Sequence, residues 1–117
     1  MITADEMWMR TLRHGLNHLD QVALDEILRG IEDKALAITD SGGAAMYIDI
    51  DDRDAAARAP REFPFLSLIN SKRLASILES TLWTLGYSGH VRWDDTRNCV
   101  RVLFVRWENG TRSIYRQ

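Results

Sequence analysis

Asn109-Gly110 sits between two runs whose residues alternate as strands do, and it restricts the chain more than any other feature. Both central positions of a type I′ turn need φ > 0, which Asn and Gly tolerate best. A two-residue turn sets the register of the strands beside it. Glu108 faces Thr111, Trp107 faces Arg112, Val105 faces Ile114 and Phe104 faces Tyr115. Upstream, Asp94-Asp95-Thr96-Arg97-Asn98 is a polar turn cluster between His90–Trp93 and Cys99–Trp107. A four-residue loop, Asp95 to Asn98, sets Arg92 opposite Arg101 and Val91 opposite Val102. The C-terminal third thus reads as a three-stranded meander.

Side chains alternate between the two faces of a strand. In this register one face collects Val91, Trp93, Val100, Val102, Phe104 and Tyr115, and is expected to be the core face. The other collects His90, Arg92, Arg101, Leu103, Val105, Trp107, Arg112, Ile114 and Arg116, an apolar middle ringed by guanidinium groups. One reading covers that middle with a helix or loop and lets the arginines snorkel over it. The other makes it a binding face, because Arg and Trp are enriched at interface hot spots.

The rest of the chain supplies helices for the sheet to pack on. Thr3 and Glu6 form a capping box ahead of Trp8, Leu12, Leu16 and Leu19 at helical spacing. Asp20 is a candidate cap for a second helix, Gln21 to Ile38, with Leu24, Ile27, Leu28, Ile31, Ala35 and Ile38 on one stripe. Asp40-Ser41-Gly42-Gly43 ends it and opens a strand, in which Met46, Ile48 and Ile50 point one way and Tyr47, Asp49 and Asp51 the other. Residues 52–62, charged, Ala-rich and containing Pro60, read as a mobile loop with at most one helical turn. Phe63–Ile69 is a short strand or helical turn, and Asn70 or Ser71 caps a helix over Lys72–Leu85 that stops at Gly86. The expectation is an α+β domain, in the order α-α-β-α-β-β-β, with helices on one face of a mostly antiparallel sheet.

A chain of 117 residues makes one domain, 1–117, with enough apolar content (45%) to bury a core without disulfides or metal. The single cysteine, Cys99, excludes an internal disulfide and suits a reducing compartment. The N-terminus lacks the basic start and apolar run of a signal peptide, and no segment is apolar for the length of a membrane span, so the expected setting is the cytoplasm. Charge is uneven. Residues 1–55 hold five Lys/Arg against twelve Asp/Glu, a balance of −7, and residues 56–117 hold ten against five, +5. The halves either meet different partners or neutralise each other in the fold.

Catalytic signatures are missing. No nucleophile elbow, P-loop or dinucleotide fingerprint occurs. His14 and His18 have the spacing of a helical metal pair but lack a third ligand nearby. Asp49, Asp51, Asp52 and Asp54 form an acidic cluster, yet Arg53 and the missing central Gly exclude an EF-hand loop. Their better use is attraction of a basic partner. Cys99 and His90 could share a face but have no third member. Trp83 lies opposite the Leu74/Leu78/Leu85 stripe, as an anchor or as packing under Phe63–Phe65.

Neither a metal nor an organic cofactor is expected. The expected function is a non-enzymatic protein-binding module, a regulator, adaptor or inhibitor of the compact acidic size that bacteria and their phages make. Its binding residues would be Arg92, Arg101, Trp107, Arg112, Arg116 and Trp83, with the four aspartates as a second region. A homodimer through the half-apolar sheet face would suit it. The rival reading is a nucleic-acid binder. It would use the same Arg/Trp face, or a winged-helix-like order in which Lys72, Arg73 and Ser76 approach DNA and Arg97 sits in the wing.

Overall fold

The computed structural model describes residues 1–108, with helices α1 (Ala4–Arg13), α2 (His18–Asp40), α3 (Arg53–Glu62) and α4 (Lys72–Thr84). Strands β1 (Ala45–Asp49), β2 (Ser88–Asp94) and β3 (Cys99–Arg106) form one antiparallel sheet in the order β1-β3-β2. A 3₁₀ turn, Pro64–Leu68, links α3 to α4. The architecture is α+β, with α2 and α4 laid across the same face of the sheet.

Helix boundaries follow the capping chemistry. Thr3 Oγ1 accepts the Glu6 N–H at 3.1 Å, and Ser71 Oγ accepts the Leu74 N–H at 3.1 Å. The second helix starts earlier than expected. Asn17, not Asp20, is its cap, with Oδ1 accepting the Asp20 N–H at 2.8 Å. Gly15, at φ +90°, breaks the chain between α1 and α2 in a conformation that costs other residues more. The early break leaves α1 with no buried residue; Trp8 and Leu19, expected in a buried stripe, are both exposed.

Residues 52–62 are not a loop. Asp52 Oδ1 accepts the N–H groups of Asp54 (2.9 Å) and Ala55 (3.3 Å), and ten residues of helix follow to Glu62. Alanine at 55, 56, 57 and 59 is the strongest helix former available, and Pro60 falls only in the last turn. The helix presses Ala59 into the core.

The hairpin of β2 and β3 opens as expected, with a four-residue loop: Asp94 faces Cys99 and Trp93 faces Val100. Then it slips. Arg92 faces Val102, not Arg101, and Val91 faces Leu103, so Arg101 is the extra residue of a β-bulge. A one-residue slip moves every later side chain to the opposite face. Leu103 and Val105, expected on the arginine face, are 0% exposed and join Met46, Ile48 and Val91 under the helices. Val102 and Phe104, expected in the core, lie half-buried on the outer face. The core is completed by Leu24, Ile27 and Ile31 from α2 and Leu74, Leu78 and Leu82 from α4. Gly89 lets α4 approach β2, since a Cβ there would stand 2.9 Å from Leu82 Cδ1.

β3 is the central strand. Val105 pairs with Met46 on one edge and with Gly89 on the other. The position beside Val105 that the turn pattern assigns to Ile114 is therefore filled by β1. The Asn109-Gly110 turn, Arg112, Arg116 and the strand drawn through them lie outside the described residues.

The inverted faces predict an inverted mutational pattern. Leu103→Ala should lower stability by about 2–5 kcal/mol, as a deletion from a packed core does. Phe104→Ala should cost well under that, because its ring is already half in water. Denaturant unfolding of the two variants measures both.

Candidate binding surface

The outer face of the sheet is built by register. Tyr47 of β1 is directly opposite Phe104 of β3, which is directly opposite His90 of β2. Cross-strand neighbours on one face stand close enough for their rings to touch. Tyr47 and Phe104 meet edge to face, with centroids 6.1 Å apart at 68°. Phe104 and His90 stack at 6.2 Å and 20°. The row continues onto α4, where Trp83 meets His90 edge-on at 6.1 Å. Four rings thus cross the sheet from edge to edge. Tyr47, His90, Arg92 and Arg101 are exposed, and among the described residues no helix covers this face.

Trp83 neither packs under Phe63–Phe65 nor projects freely. Its indole N–H donates to the Gly89 carbonyl at 2.7 Å, which ties the ring to the end of the row with 45% of the residue still exposed. One helical turn earlier, Glu79 Oε1 accepts the Val91 N–H at 2.9 Å and Arg92 Nη1 at 3.0 Å. Gly89 and Val91 turn these groups away from β3, so two side chains of α4 occupy the outer edge of β2.

The arginines of this face come with carboxylates. Arg92 is paired with Glu79, and Arg106 with Glu108 at 2.9 Å. Arg97, in the hairpin loop, reaches Asp51 at 2.7 Å and Asp94 at 3.4 Å, and Arg101 lies 3.9 Å from Asp51. The hydrogen bond that Arg97 donates to Asp51, reinforced by the carboxylate's charge, pushes the guanidinium above its ordinary pKa. Asp51 of the acidic first half thus meets Arg97 and Arg101 of the basic second half where the loops after β1 and β2 meet.

The aspartate cluster is mostly used locally. Asp49 Oδ1 accepts the Asp51 N–H at 2.9 Å, Asp51 pairs with Arg97, and Asp52 caps α3. Asp54 stands in the first turn of α3, where the helix dipole favours an acid. The four carboxylates do not converge, and no group of three or more metal-ligating side chains occurs among the described residues.

Trp107 departs from the arginines. Its parity turns it to the helix side, where the indole N–H donates to Thr39 Oγ1 of α2 at 2.9 Å. The Cys99–His90 pair does not form. Their sheet partners, Phe104 for His90 and Asp94 for Cys99, place them at opposite ends of the hairpin, about four residues of β2 or roughly 14 Å apart. Cys99 instead borders an apolar cleft with Ile50, Ala59 and Phe63. Lys72, Arg73 and Ser76, the helix residues of the winged-helix reading, are exposed and border a cleft shared with Thr11 and Leu12 of α1 and with its cap His14.

Sequence reasoning misses four contributors, among them Tyr47, which it reads only as the outward side of a half-buried strand. Simple alternation puts Phe104 and His90 on opposite faces because it does not foresee the bulge, and Glu79 reads only as a polar residue on the helix. The one available signal is the unbroken apolar run Val102–Val105, which no simple alternation fits. Comparison with protein families, with curated proteins and with solved structures finds no match to this chain.

The edge contacts should be worth more than the loop ion pairs. Glu79→Ala should cost about 1–3 kcal/mol, since it removes charge-assisted bonds to both Val91 and Arg92. Glu79→Gln, which keeps an acceptor for the Val91 N–H, should recover part of this. Asp51→Asn should change stability by less than about 1 kcal/mol, because the Arg97 pair is solvent-exposed. Urea titrations of the three variants provide the comparison.

Proposed function

We propose that the chain is a non-enzymatic binding module that docks another protein on the outer face of its sheet. The observation that carries this reading is the row Tyr47–Phe104–His90–Trp83, four rings held in contact on a face that no described helix covers. Interface hot spots combine aromatic residues and Arg, surrounded by a polar rim that excludes water. Here the rings form the centre, and Arg92, Arg101 and Arg106 with their carboxylates form the rim. Fixed rings lose little conformational entropy on binding, so their contact area is gained cheaply. The site residues of this reading are Arg92, Arg101 and Trp83 from the sequence, joined by Tyr47, His90 and Phe104. A role as regulator, adaptor or inhibitor in the cytoplasm fits such a module. No described helix is long and apolar enough to cross a membrane.

One feature favours nucleic acid instead. Aromatic side chains on an open antiparallel sheet are a stacking platform for single-stranded bases. Charge weighs against it. Phosphate binding draws on uncompensated Lys and Arg, whereas each described arginine of this face has a carboxylate within 4 Å and the chain is net −2.

A photo-crosslinking residue at position 90, compared with one at the exposed position 36 on α2, separates the readings in the native cell. A covalent adduct with a different protein at 90 and not at 36 is the expected result. Adducts at 36 alone would move the docking surface off the sheet. Fluorescence anisotropy with a single-stranded oligonucleotide at low salt should show no binding. Salt-dependent binding that Arg92→Ala/Arg101→Ala abolishes would select the nucleic-acid reading.

A further inference from the structure

The two edges of the sheet are treated differently. Trp83 and Glu79 occupy the β2 edge. At β1, Trp107 N–H donates to the Ala44 carbonyl and Ile50 N–H donates to the Arg101 carbonyl, each at 3.0 Å. With Met46 opposite Val105 and Ile48 opposite Leu103, the even-numbered residues of β1 bond to β3. Ala45, Tyr47 and Asp49 therefore aim their main-chain groups outward. The Asp49 carbonyl takes the Asp52 N–H at 3.1 Å. The outward N–H and C=O groups of Ala45 and Tyr47 meet no donor or acceptor among the described residues. An edge left open in this way is a template for another strand.

We propose that the occupant is β1 of a second copy of this chain, antiparallel and centred on Tyr47, so that two sheets join into one. The strand is self-complementary in that register. Tyr47 faces Tyr47 of the second copy, Met46 faces Ile48, and Ala45 faces Asp49. Met46 and Ile48 are both 3% exposed on the inner face, so the two core rows meet across the seam. On the outer face the two aromatic rows meet at Tyr47. Charge selects the register as well. The Asp49 side chains of the two copies stand four residues apart along the pair, roughly 14 Å. A shift of two residues in one direction would bring them to roughly 7 Å, and the opposite shift would draw Gly43 into the ladder, where it pairs poorly. The pairing uses main-chain groups and leaves the rings exposed. It goes beyond the docking role of the outer face, and its failure would leave that role standing.

Sedimentation velocity on the full chain, up to about 1 mM, should show a concentration-dependent species of twice the 13.5 kDa chain mass. Ala45→Pro should abolish it with the circular dichroism spectrum unchanged, because the Ala45 N–H makes no bond within the sheet. In a Cys99→Ser background, Tyr47→Cys should give a disulfide-linked dimer under mild oxidation. A directly bonded antiparallel pair sets the two Cα atoms about 5.5 Å apart, within disulfide reach. Ala45→Cys should not cross-link, since Asp49 stands opposite it. A wild-type chain that stays monomeric, a dimer that survives in folded Ala45→Pro, or equal cross-linking from the two cysteines would each overturn the proposal.

Discussion

At Arg101 the central strand carries one residue more than its partner, and the character of both sheet faces depends on that residue. Before the bulge, Val100 points to the helices; after it, Leu103 and Val105 do. Without the insertion those two side chains would face water and Phe104 would face the helices. The hydrophobic effect holds the bulge in place. Leu103 and Val105 fit against α2 and α4 beside Met46, Ile48 and Val91, and burial of each aliphatic side chain contributes about 1.5–3 kcal/mol. Arg101 and Val102 both remain on the outside, where Arg101 sits next to Asp51.

That parity creates the aromatic outer face. Phe104 is placed between Tyr47 and His90, and Trp83 extends the row because its indole N–H is tied to Gly89. α4 thus serves two purposes: its apolar face fills the core, and its polar face ends the sheet through Trp83 and Glu79. Among the described residues, β1 receives no comparable guard. One face carries the aligned rings, and one edge carries the outward main-chain groups of Ala45 and Tyr47. Among the described residues, the arginines of this face are each compensated by a carboxylate.

Much of the fold is legible in the sequence because it rests on local chemistry. Thr3 and Ser71 cap their helices, the stripe Leu24-Ile27-Ile31-Ala35 is buried, and the Asp95–Asn98 loop has the expected length. What escapes rests on longer-range terms. A bulge changes no local propensity at Arg101 and becomes favourable only when helices wait under Leu103. The helix at 53–62 is hidden by its charge and by Pro60, although Asp52 followed by alanines is a cap and a helix start. Of the residues assigned to binding, Arg92 and Arg101 do share the outer face, Trp107 turns to α2, and Asp52 is taken up in capping α3. Alternation places Tyr47 correctly opposite Met46 and Ile48, but its value as a site residue depends on Phe104 and His90 standing beside it.

The central claim is that Phe104 belongs to the outer face and Leu103 to the core. A nuclear Overhauser spectrum of the unmodified protein tests it most directly. The Phe104 ring protons should show cross-peaks to the rings of Tyr47 and His90, and the Leu103 methyls should show them to the buried side chains of α2 and α4. Cross-peaks from the Phe104 ring to the methyls of Leu24 or Leu78, with Leu103 lacking them, would contradict the account.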